Sequence, residues 1–268
     1  MDRISRAVEL AAEKRQSKKR KKPLARSEST EPFEYTKTRR IVVPDEVMRE
    51  NRLIASKDQQ QVIIDAYKLL RTRVLHRMQQ NNWRVLGITS PGANVGKTLT
   101  AVNLAISIAM KHENTVVLVD ADLRRPSVHK CLGIEPEYGL LDYLEGNVSI
   151  DRMLINPGID GFVVIPSHND SHTRSSERLS STRMERLVRE LKARYPDRVV
   201  LFDLPPMLVG DDVEAFSPYV DAFLLVVEEG KTDIQEYAKT LEILENKEIL
   251  GTVLNKSEEV GHGYDYYY

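Results

Sequence analysis

The chain contains 268 residues, of which 41% are apolar and 29% are charged, and its formal net charge is −1. This composition is ordinary for a globular protein. Because the net charge is close to zero, the overall charge does not indicate nucleic-acid binding. No apolar run approaches the ~20 residues of a membrane-spanning helix, and the N-terminus lacks the apolar segment of a secretory signal. Cys131 is the single cysteine, so no internal disulfide forms, which favours a reducing compartment. We therefore expect a cytoplasmic protein that is at most peripheral to the inner face of the cell membrane.

The first 56 residues carry an excess of positive charge. They contain fifteen Lys and Arg against nine Asp and Glu, and seven of the nine residues 14–22 are basic. Residues 2–13 have the apolar spacing of a short amphipathic helix, and residues 23–45 are polar with three prolines, as in a linker. We predict a largely mobile N-terminal arm over residues 1–56. Its basic run is either a solvated segment or a contact for an anionic membrane surface.

Residues 58–80 have the apolar spacing of one helix. Its apolar positions are Val62, Ile63, Ala66, Leu69, Leu70, Val74 and Leu75. Asp65, Lys68 and Arg71 are spaced three residues apart, so the helical repeat places them roughly on one polar face. They form either local ion pairs or a contact between copies of the chain, and the sequence alone slightly favours local pairs.

From residue 83 onwards the chain alternates between strand and helix patterns. Strands are predicted at residues 83–89, 115–119, 162–165, 198–202, 222–227 and 249–254, and helices at 99–111, 176–195, 211–217 and 233–246, with short helical pieces within 127–154. Several of these strands are apolar without alternation, which is typical of strands buried on both faces. We therefore predict an α/β domain over residues 57–258. Its sheet is mostly parallel, helices cover both faces, and the ligand site lies at the carboxyl ends of the strands.

Residues 89–98 connect the first of these strands to a helix through small residues that end in Gly-Lys-Thr. This is the context of a P-loop, whose backbone N–H groups surround phosphate oxygens, and it predicts a domain of the P-loop NTPase type. Lys97 would reach the β- and γ-phosphates of ATP, and the Thr98 hydroxyl would bind Mg²⁺. The pattern is imperfect, because Pro91 occupies the place of the first glycine, and the alternative is an ordinary turn. The predicted ATP-binding residues are Gly92, Ala93, Asn94, Val95, Gly96, Lys97, Thr98 and Leu99.

Two of the predicted strands end in aspartate. Asp120 follows one apolar strand, with Asp122 two residues later, and Asp203 follows another. The carboxyl ends of parallel strands meet at one edge of the sheet, so Asp120 and Asp203 should face the nucleotide and hold Mg²⁺ directly or through water. The alternative is that each aspartate only caps the next turn.

Other polar residues lie at the same predicted edge of the sheet. Arg124 and Arg125 follow Asp122 and pair either with it or with an incoming phosphate. Asn255 ends the last strand, where it either binds the adenine or serves as a turn residue.

Four of the last five residues are tyrosines, namely Tyr264, Tyr266, Tyr267 and Tyr268. No helix or strand pattern accounts for them, and the neighbouring glycines predict a mobile tail over residues 259–268. This tail is either an aromatic end that docks on a surface or a set of phosphate acceptors for the ATP site.

Together these features resemble the bacterial protein-tyrosine kinases (BY-kinases) of polysaccharide export and assembly. The matching features are the loop at 90–98, the Asp-x-Asp-x-Arg segment at 120–124, the Asp-x-Pro-Pro segment at 203–206 and the tyrosine cluster. The resemblance covers about residues 58–268. It is greatest to the soluble members without membrane spans of their own, including those found beside exosortase-type loci.

The resemblance implies roles for individual residues. Lys97 and Thr98 would hold Mg-ATP, Asp120 and Asp203 would organise the metal, and one aspartate of the Asp120/Asp122 pair would activate the acceptor hydroxyl. The helix motif Glu-x-x-Arg-x-x-Arg, which assembles the family's rings, falls at Asp65, Lys68 and Arg71, where two of the three residues differ. The resemblance also implies a homo-oligomer and a separate membrane-embedded activator of the polysaccharide co-polymerase type.

We therefore predict an ATP-dependent tyrosine autokinase that phosphorylates its own tyrosine cluster, in trans, and regulates exopolysaccharide or capsule assembly or export. Its catalytic residues would be Lys97, Asp120, Asp122 and Asp203. The alternatives are a positioning ATPase of the MinD/ParA type, which shares the implied fold, and a non-catalytic nucleotide-binding regulator. Positioning ATPases carry an extra lysine at the place of Gly92, and residues 85–96 contain no lysine, which argues against the first alternative.

Overall fold

The computed structural model describes residues 38–111, 114–168, 174–194 and 198–257. Its strands are β1 (Arg39–Arg40), β2 (Val85–Thr89), β3 (Thr115–Asp120), β4 (Ile155–Asn156), β5 (Phe162–Ile165), β6 (Arg198–Asp203), β7 (Ala222–Glu228) and β8 (Ile249–Asn255). They form a sheet in the order β1-β4-β5-β3-β6-β2-β7-β8. The predicted strands are all present, whereas the two-residue strands β1 and β4 were missed because they are too short to show a pattern.

Helices connect these strands. They are α1 (Asp45–Glu50), α2 (Gln61–Asn81), α3 (Lys97–Ala109), α4 (Val128–Leu132), α5 (Leu140–Glu145), α6 (Ile150–Met153), α7 (Ser175–Leu179), α8 (Thr182–Arg194), α9 (Asp212–Phe216) and α10 (Ile234–Ile243), with 3₁₀ turns at Met207–Val209 and Ser217–Tyr219. Within the described ranges, none of the helices is both long and apolar enough to cross a bilayer.

The sheet is parallel in the described residues, except where β4 meets β5. Its central strands are almost wholly buried, which explains why β3 and β6 are apolar without alternation. Successive residues of β3 belong to two different hydrophobic clusters. Val116 and Leu118 pack in the cluster that contains α2 and α3, whereas Val117 and Val119 pack in the cluster that contains α5 and α8. The predicted α/β fold with helices on both faces is therefore confirmed.

The predicted mobile arm is wrong for residues 38–56, which pack on the domain. Leu53 and Ile54 are 1% and 2% exposed. The Asn103 side chain in α3 accepts the Ile54 N–H at 3.0 Å and donates to the Arg52 carbonyl at 3.1 Å. The apolar residues of this segment form three short runs that are separated by Pro44 and by charged residues, so they show no periodic pattern that would predict their burial. The predicted amphipathic helix and the basic run lie outside the described residues.

Replacing Leu53 with alanine should lower the free energy of unfolding by about 2–5 kcal/mol, because it removes a buried side chain and leaves a cavity. Val42→Ala is the matched control, since Val42 is 72% exposed and its truncation should change stability by less than about 0.5 kcal/mol. Urea unfolding of the full chain measures both values. Equal stability of the two variants would contradict the docking of this segment.

The single helix predicted over residues 176–195 is also wrong, because two helices, α7 and α8, occupy this stretch. The break falls at Ser180 and Ser181. The Ser180 hydroxyl donates to the Ser176 carbonyl at 2.8 Å, and the Ser181 hydroxyl accepts the Met184 N–H at 3.3 Å, as a residue at a helix N-terminus does. Serine hydroxyls compete with the backbone for hydrogen bonds, which ends one helix and begins the next.

Candidate active site

The predicted site residues converge at the carboxyl ends of three neighbouring strands. Asp120 at the end of β3 is the register partner of Asp203 at the end of β6, and Asp203 is also the partner of Ile88 in β2. The loop after β2 therefore begins beside both carboxylates. This convergence is what a parallel sheet predicts for its ligand edge.

The loop between β2 and α3 has the backbone conformation of a tight phosphate-binding turn. Asn94 and Gly96 both have positive φ, at 64° and 87°, in the left-handed region that favours glycine. A Cβ added to Gly96 would lie 2.1 Å from Asn255 Nδ2, so any other residue would displace the Asn255 side chain as well as strain the backbone. Gly92, Ala93 and Asn94 are at least partly accessible, whereas Val95 is buried and Leu99 packs against the apolar core.

Lys97 and Thr98 meet the same carboxylate. Lys97 Nζ lies 2.6 Å from Asp203 Oδ1 and 3.7 Å from Asp122 Oδ2. The Thr98 hydroxyl donates to Asp203 Oδ2 at 2.6 Å and lies 3.0 Å from the Ser127 hydroxyl. Asp203 therefore joins the two residues that the loop motif assigns to phosphate and metal.

Asp120 has a different environment. Its Oδ2 accepts the backbone N–H groups of Ser127 and Val128 at 3.0 and 2.9 Å, and its Oδ1 accepts that of Asp122 at 3.3 Å. Asp120 thus holds the start of α4, as expected if this aspartate caps the turn that follows its strand. Asp203 instead faces Lys97 and Thr98. Asp122 accepts the Arg125 N–H at 3.1 Å.

Carboxyl groups outnumber ammonium groups in this buried cluster. Asp120, Asp122 and Asp203 are 0%, 6% and 0% exposed, and one ammonium, Lys97, lies among them. Burial alone would lower the pKa of Lys97, but Asp203 and Asp122 outweigh it, so that this pKa lies above its usual value. Burial and the charge of Asp203 raise the pKa of Asp120 well above its usual value. Burial also raises the pKa of Asp122, although Lys97 opposes that shift.

Arg124 pairs across the site rather than with Asp122. Its Nε lies 2.7 Å from Asp212 Oδ2, and its Nη2 lies 3.8 Å from Asp211 Oδ1. Asp212 is 2% exposed at the start of α9, so the pair ties the loop after β3 to the loop after β6. Sequence reasoning missed Asp212, because nothing local distinguishes it from the exposed Asp211 beside it.

Two residues at the end of β8 hold the loop from outside. Asn255 Nδ2 donates to the Val95 carbonyl and Lys256 Nζ to the Asn94 carbonyl, each at 2.8 Å. Asn255 therefore lies at the predicted site. Its recorded partner in the structure is the loop itself.

The three residues predicted to share a polar face of α2 do not do so. Lys68 and Asp65 form a half-exposed local ion pair at 2.9 Å, as the sequence favoured. Arg71 instead donates to the Ser107 carbonyl of α3 at 2.8 Å, so its guanidinium is turned towards the neighbouring helix. The expectation of one shared face is wrong for Arg71, and the predicted contact between copies stays a prediction.

An open depression of about 370 Å³ adjoins Thr98. Its lining residues are Asn51, Thr98, Leu99, Ser127, Lys130 and Cys131. Burial raises the pKa of the Cys131 thiol to about 12, so the thiol is protonated at neutral pH. In the described residues, His, Cys, Asp and Glu form no group of three or more that could hold a metal ion unaided.

Comparison with known proteins identifies the family. Residues 86–265 match the family described as the CobQ/CobB/MinD/ParA nucleotide binding domain. The chain belongs to this family. Its members share a nucleotide-binding domain, so the loop, Lys97 and the strand-end carboxylates lie at the place where this domain's ligand is expected.

Within this nucleotide-binding family, the chain is similar to bacterial tyrosine-protein kinases. It is 29% identical to tyrosine-protein kinase ptk of Acinetobacter johnsonii over 79% of its own length and 29% of the relative's. It is 29% identical to tyrosine-protein kinase YwqD of Bacillus subtilis over 81% of its length and 92% of the relative's. The kinase domain of Escherichia coli tyrosine kinase ETK superposes with a TM-score of 0.70 at 28% identity, covering 88% of this chain and 89% of that domain. The chain thus spans less than a third of the Acinetobacter relative. The predicted resemblance to bacterial protein-tyrosine kinases is confirmed.

The predicted phospho-acceptors Tyr264, Tyr266, Tyr267 and Tyr268 lie outside the described residues, as does the rest of the tail.

Proposed function

We propose that the chain is an ATP-dependent protein-tyrosine autokinase that phosphorylates its own C-terminal tyrosine cluster in trans. The observation that carries this proposal is the convergence of Lys97, Thr98 and Asp203 within 2.6 Å contacts at the phosphate-binding loop, in a chain that ends in four tyrosines among five residues. The similarity to tyrosine-protein kinases supports phosphoryl transfer to tyrosine over hydrolysis.

The cluster fits a bound Mg-nucleotide. Three buried carboxyl groups surround one ammonium, and the raised pKa values of Asp120 and Asp122 show that their negative charge is incompletely compensated. A divalent cation would stabilise the charged forms. Thr98 and Asp203 would hold Mg²⁺, with Asp120 acting through water because backbone N–H groups occupy its oxygens. The bound ion would neutralise charge on the β- and γ-phosphates.

The chain's own groups would position the phosphates. The loop N–H groups and the start of α3 offer donors to the phosphate oxygens. Lys97 already points into the cluster, and its raised pKa keeps it charged. It would stabilise the charge that develops on the transferred phosphoryl group.

Asp122 is the better candidate for the residue that accepts the tyrosine proton. Asp120 accepts three backbone N–H bonds, whereas the recorded hydrogen-bond donor to Asp122 is the N–H of Arg125. An unperturbed tyrosine has a pKa of about 10, and the raised pKa of Asp122 narrows the gap between donor and acceptor. Arg124, held by Asp212, fixes the loop that carries Asp122.

Replacing Asp122 with asparagine should lower kcat for tyrosine phosphorylation by about 10²–10⁴-fold, the usual contribution of a general base, while the KM for ATP changes little. Asp211→Asn is the matched control, because Asp211 lies nearby with a side chain 72% exposed. Initial rates of phosphotyrosine formation at several ATP concentrations separate kcat from KM. A kcat within tenfold of the unaltered chain would assign the proton to another group.

One experiment tests the proposed activity. The full chain is incubated with Mg-ATP, and phosphotyrosine is mapped by mass spectrometry. Phosphate confined to the four tail tyrosines supports the kinase. ATP hydrolysis without phosphotyrosine supports a positioning ATPase of the MinD/ParA type, and nucleotide binding without turnover supports a regulator.

A mixing experiment tests transfer in trans. A Lys97→Met chain, which keeps its tyrosines, is combined with an active chain whose four tail tyrosines are changed to phenylalanine. Transfer between chains would label the Lys97→Met chain, and transfer confined to one chain would label neither.

We extend the proposal to assembly and regulation on the strength of the resemblance. The kinase would form homo-oligomers, with Asp65, Lys68 and Arg71 near the contact, and would regulate exopolysaccharide or capsule assembly or export. A separate membrane-embedded activator of the polysaccharide co-polymerase type would recruit it to the inner face of the membrane, where the basic arm would meet anionic lipid. Light scattering before and after incubation with Mg-ATP tests the oligomer, since each tail phosphate adds about −1.5 to −2 charge and should favour dissociation.

A further inference from the structure

Two adjacent carbonyl groups of the phosphate-binding loop are held from the outside by β8. The Asn94 carbonyl accepts Lys256 Nζ and the Val95 carbonyl accepts Asn255 Nδ2, each at 2.8 Å. The donors lie about 160 residues along the chain from their acceptors. These contacts therefore depend on the tertiary fold.

The direction of these carbonyls decides the direction of the loop's N–H groups. In a trans peptide the C=O and the following N–H point to opposite sides. The Asn94 carbonyl points towards Lys256, so the Val95 N–H points to the opposite side. The Val95 carbonyl points towards Asn255, so the Gly96 N–H also points away from β8. Successive N–H groups turned to one side form the concave nest that binds phosphate.

Lys256 is itself held in place. Its Nζ lies 2.9 Å from Glu228 Oε2 at the end of β7, and the hydrogen bond from Lys256 lowers the pKa of that carboxyl. Its backbone has a φ of 57°, a left-handed conformation that non-glycine residues rarely adopt and that marks positions under structural demand. One ammonium therefore joins β7, β8 and the loop.

We infer that Lys256 is a positioning residue for the nucleotide-binding loop. It holds the Asn94 carbonyl outward so that the Val95 N–H faces the phosphates. Nothing in this role requires Lys256 to touch the nucleotide. The inference deepens the proposed function, because it names a residue outside the loop motif that sets the affinity of the same site.

The chain offers a matched control for this inference. Lys231 Nζ lies 3.5 Å from the same Glu228 Oε2, and its side chain is 63% exposed. Lys231→Met removes the same charge from the same carboxylate as Lys256→Met and leaves the Asn94 contact in place. Lys256→Arg keeps a cationic donor that can reach both the Asn94 carbonyl oxygen and Glu228 Oε2.

The experiment measures the dissociation constants of ADP and Mg-ATP by calorimetry on the full-length variants, together with their melting temperatures. We expect Lys256→Met to bind about 3- to 10-fold more weakly, the effect of one lost hydrogen bond. Lys231→Met should bind like the unaltered chain, and Lys256→Arg should recover most of the affinity. The KM for ATP should rise in Lys256→Met without a comparable fall in kcat.

Equal affinities for Lys256→Met and Lys231→Met would overturn the inference. It would also be overturned if affinity fell in all three variants in proportion to the decrease in their melting temperatures, because a general loss of stability would then explain the weaker binding. A different result would refute the proposed kinase activity. A chain that binds Mg-ATP and forms no phosphotyrosine would refute the activity, while the difference between the two methionine variants would still support the role of Lys256.

Discussion

Replacing Lys97 with methionine should reduce the rate of tyrosine phosphorylation by at least about 10²–10³-fold, the usual cost of removing one preorganised charge-stabilising donor. In the folded chain its ammonium is 2.6 Å from Asp203 and 3.7 Å from Asp122. It therefore lies among the carboxyl groups that the proposal assigns to the Mg-nucleotide. Quantitative phosphotyrosine blotting with Mg-ATP measures the loss, and Lys231→Met serves as the exposed control. Activity within tenfold of the control would place the phosphates elsewhere.

Lys97→Met should also change how the stability of the fold depends on pH, because Lys97 lies among the buried carboxyl groups. The substitution removes the ammonium that pairs with Asp122 and Asp203, and leaving buried charges unpaired costs about 3–5 kcal/mol. Carboxyls whose folded pKa is raised stabilise the fold most below their unfolded pKa, and this stability is lost as pH rises through the folded value. Burial raises the pKa of Asp120 and Asp122, and Lys97 opposes both shifts, so we expect its loss to raise both pKa values further.

We therefore expect the Lys97→Met chain to lose stability more steeply than the unaltered chain as pH rises from about 4 to 8. Mg²⁺ should restore part of the loss if the carboxylates bind it. Melting temperatures across this pH range, with and without Mg²⁺, measure the effect. Parallel pH profiles for the two chains would show that Lys97 does not neutralise the cluster.

The ligand edge of the sheet was predictable because its residues obey a local rule. Lys97 and Thr98 are in a recognisable loop, and Asp120 and Asp203 each follow an unbroken apolar strand. Parallel strands place such ends at the same edge of the sheet. Parallelism predicted their shared edge, whereas the pairing of β3 with β6, which puts the two aspartates in register, depends on the strand order and has no local sequence signal.

The contacts that shape this edge were not predictable, because they join residues that are far apart in sequence. Lys256 and Asn94, or Arg124 and Asp212, are ordinary polar residues until the fold brings them together. Likewise Leu53 and Ile54 are buried by α3, although their own segment shows no periodic pattern. Arg71 matched a helical spacing, but α3 lies close enough to accept its guanidinium. Spacing alone assigns a helical position, and the neighbouring element decides the contact.

Gly96→Ala should weaken nucleotide binding by about 10- to 100-fold, and phosphorylation at limiting ATP should fall with it. Gly96 has a φ of 87°, which an alanine adopts at a cost of about 1–2 kcal/mol. Its new Cβ would also lie 2.1 Å from Asn255 Nδ2. Either the Asn255 side chain or the loop would have to shift, and in both cases the Val95 carbonyl would lose the donor that holds it. Calorimetry with Mg-ADP on the full chain measures the loss of binding.

Gly92→Ala is the matched control within the same loop. The nearest atom to a Cβ at Gly92 is Glu236 Oε2 at 3.5 Å, an ordinary contact with the end of a flexible side chain. We therefore expect Gly92→Ala to bind nucleotide within about threefold of the unaltered chain, a change of less than about 1 kcal/mol. If both alanine variants lost binding equally, general sensitivity of the loop would explain the effect. If neither did, the nucleotide would not depend on the left-handed turn at Gly96 that β8 holds in place.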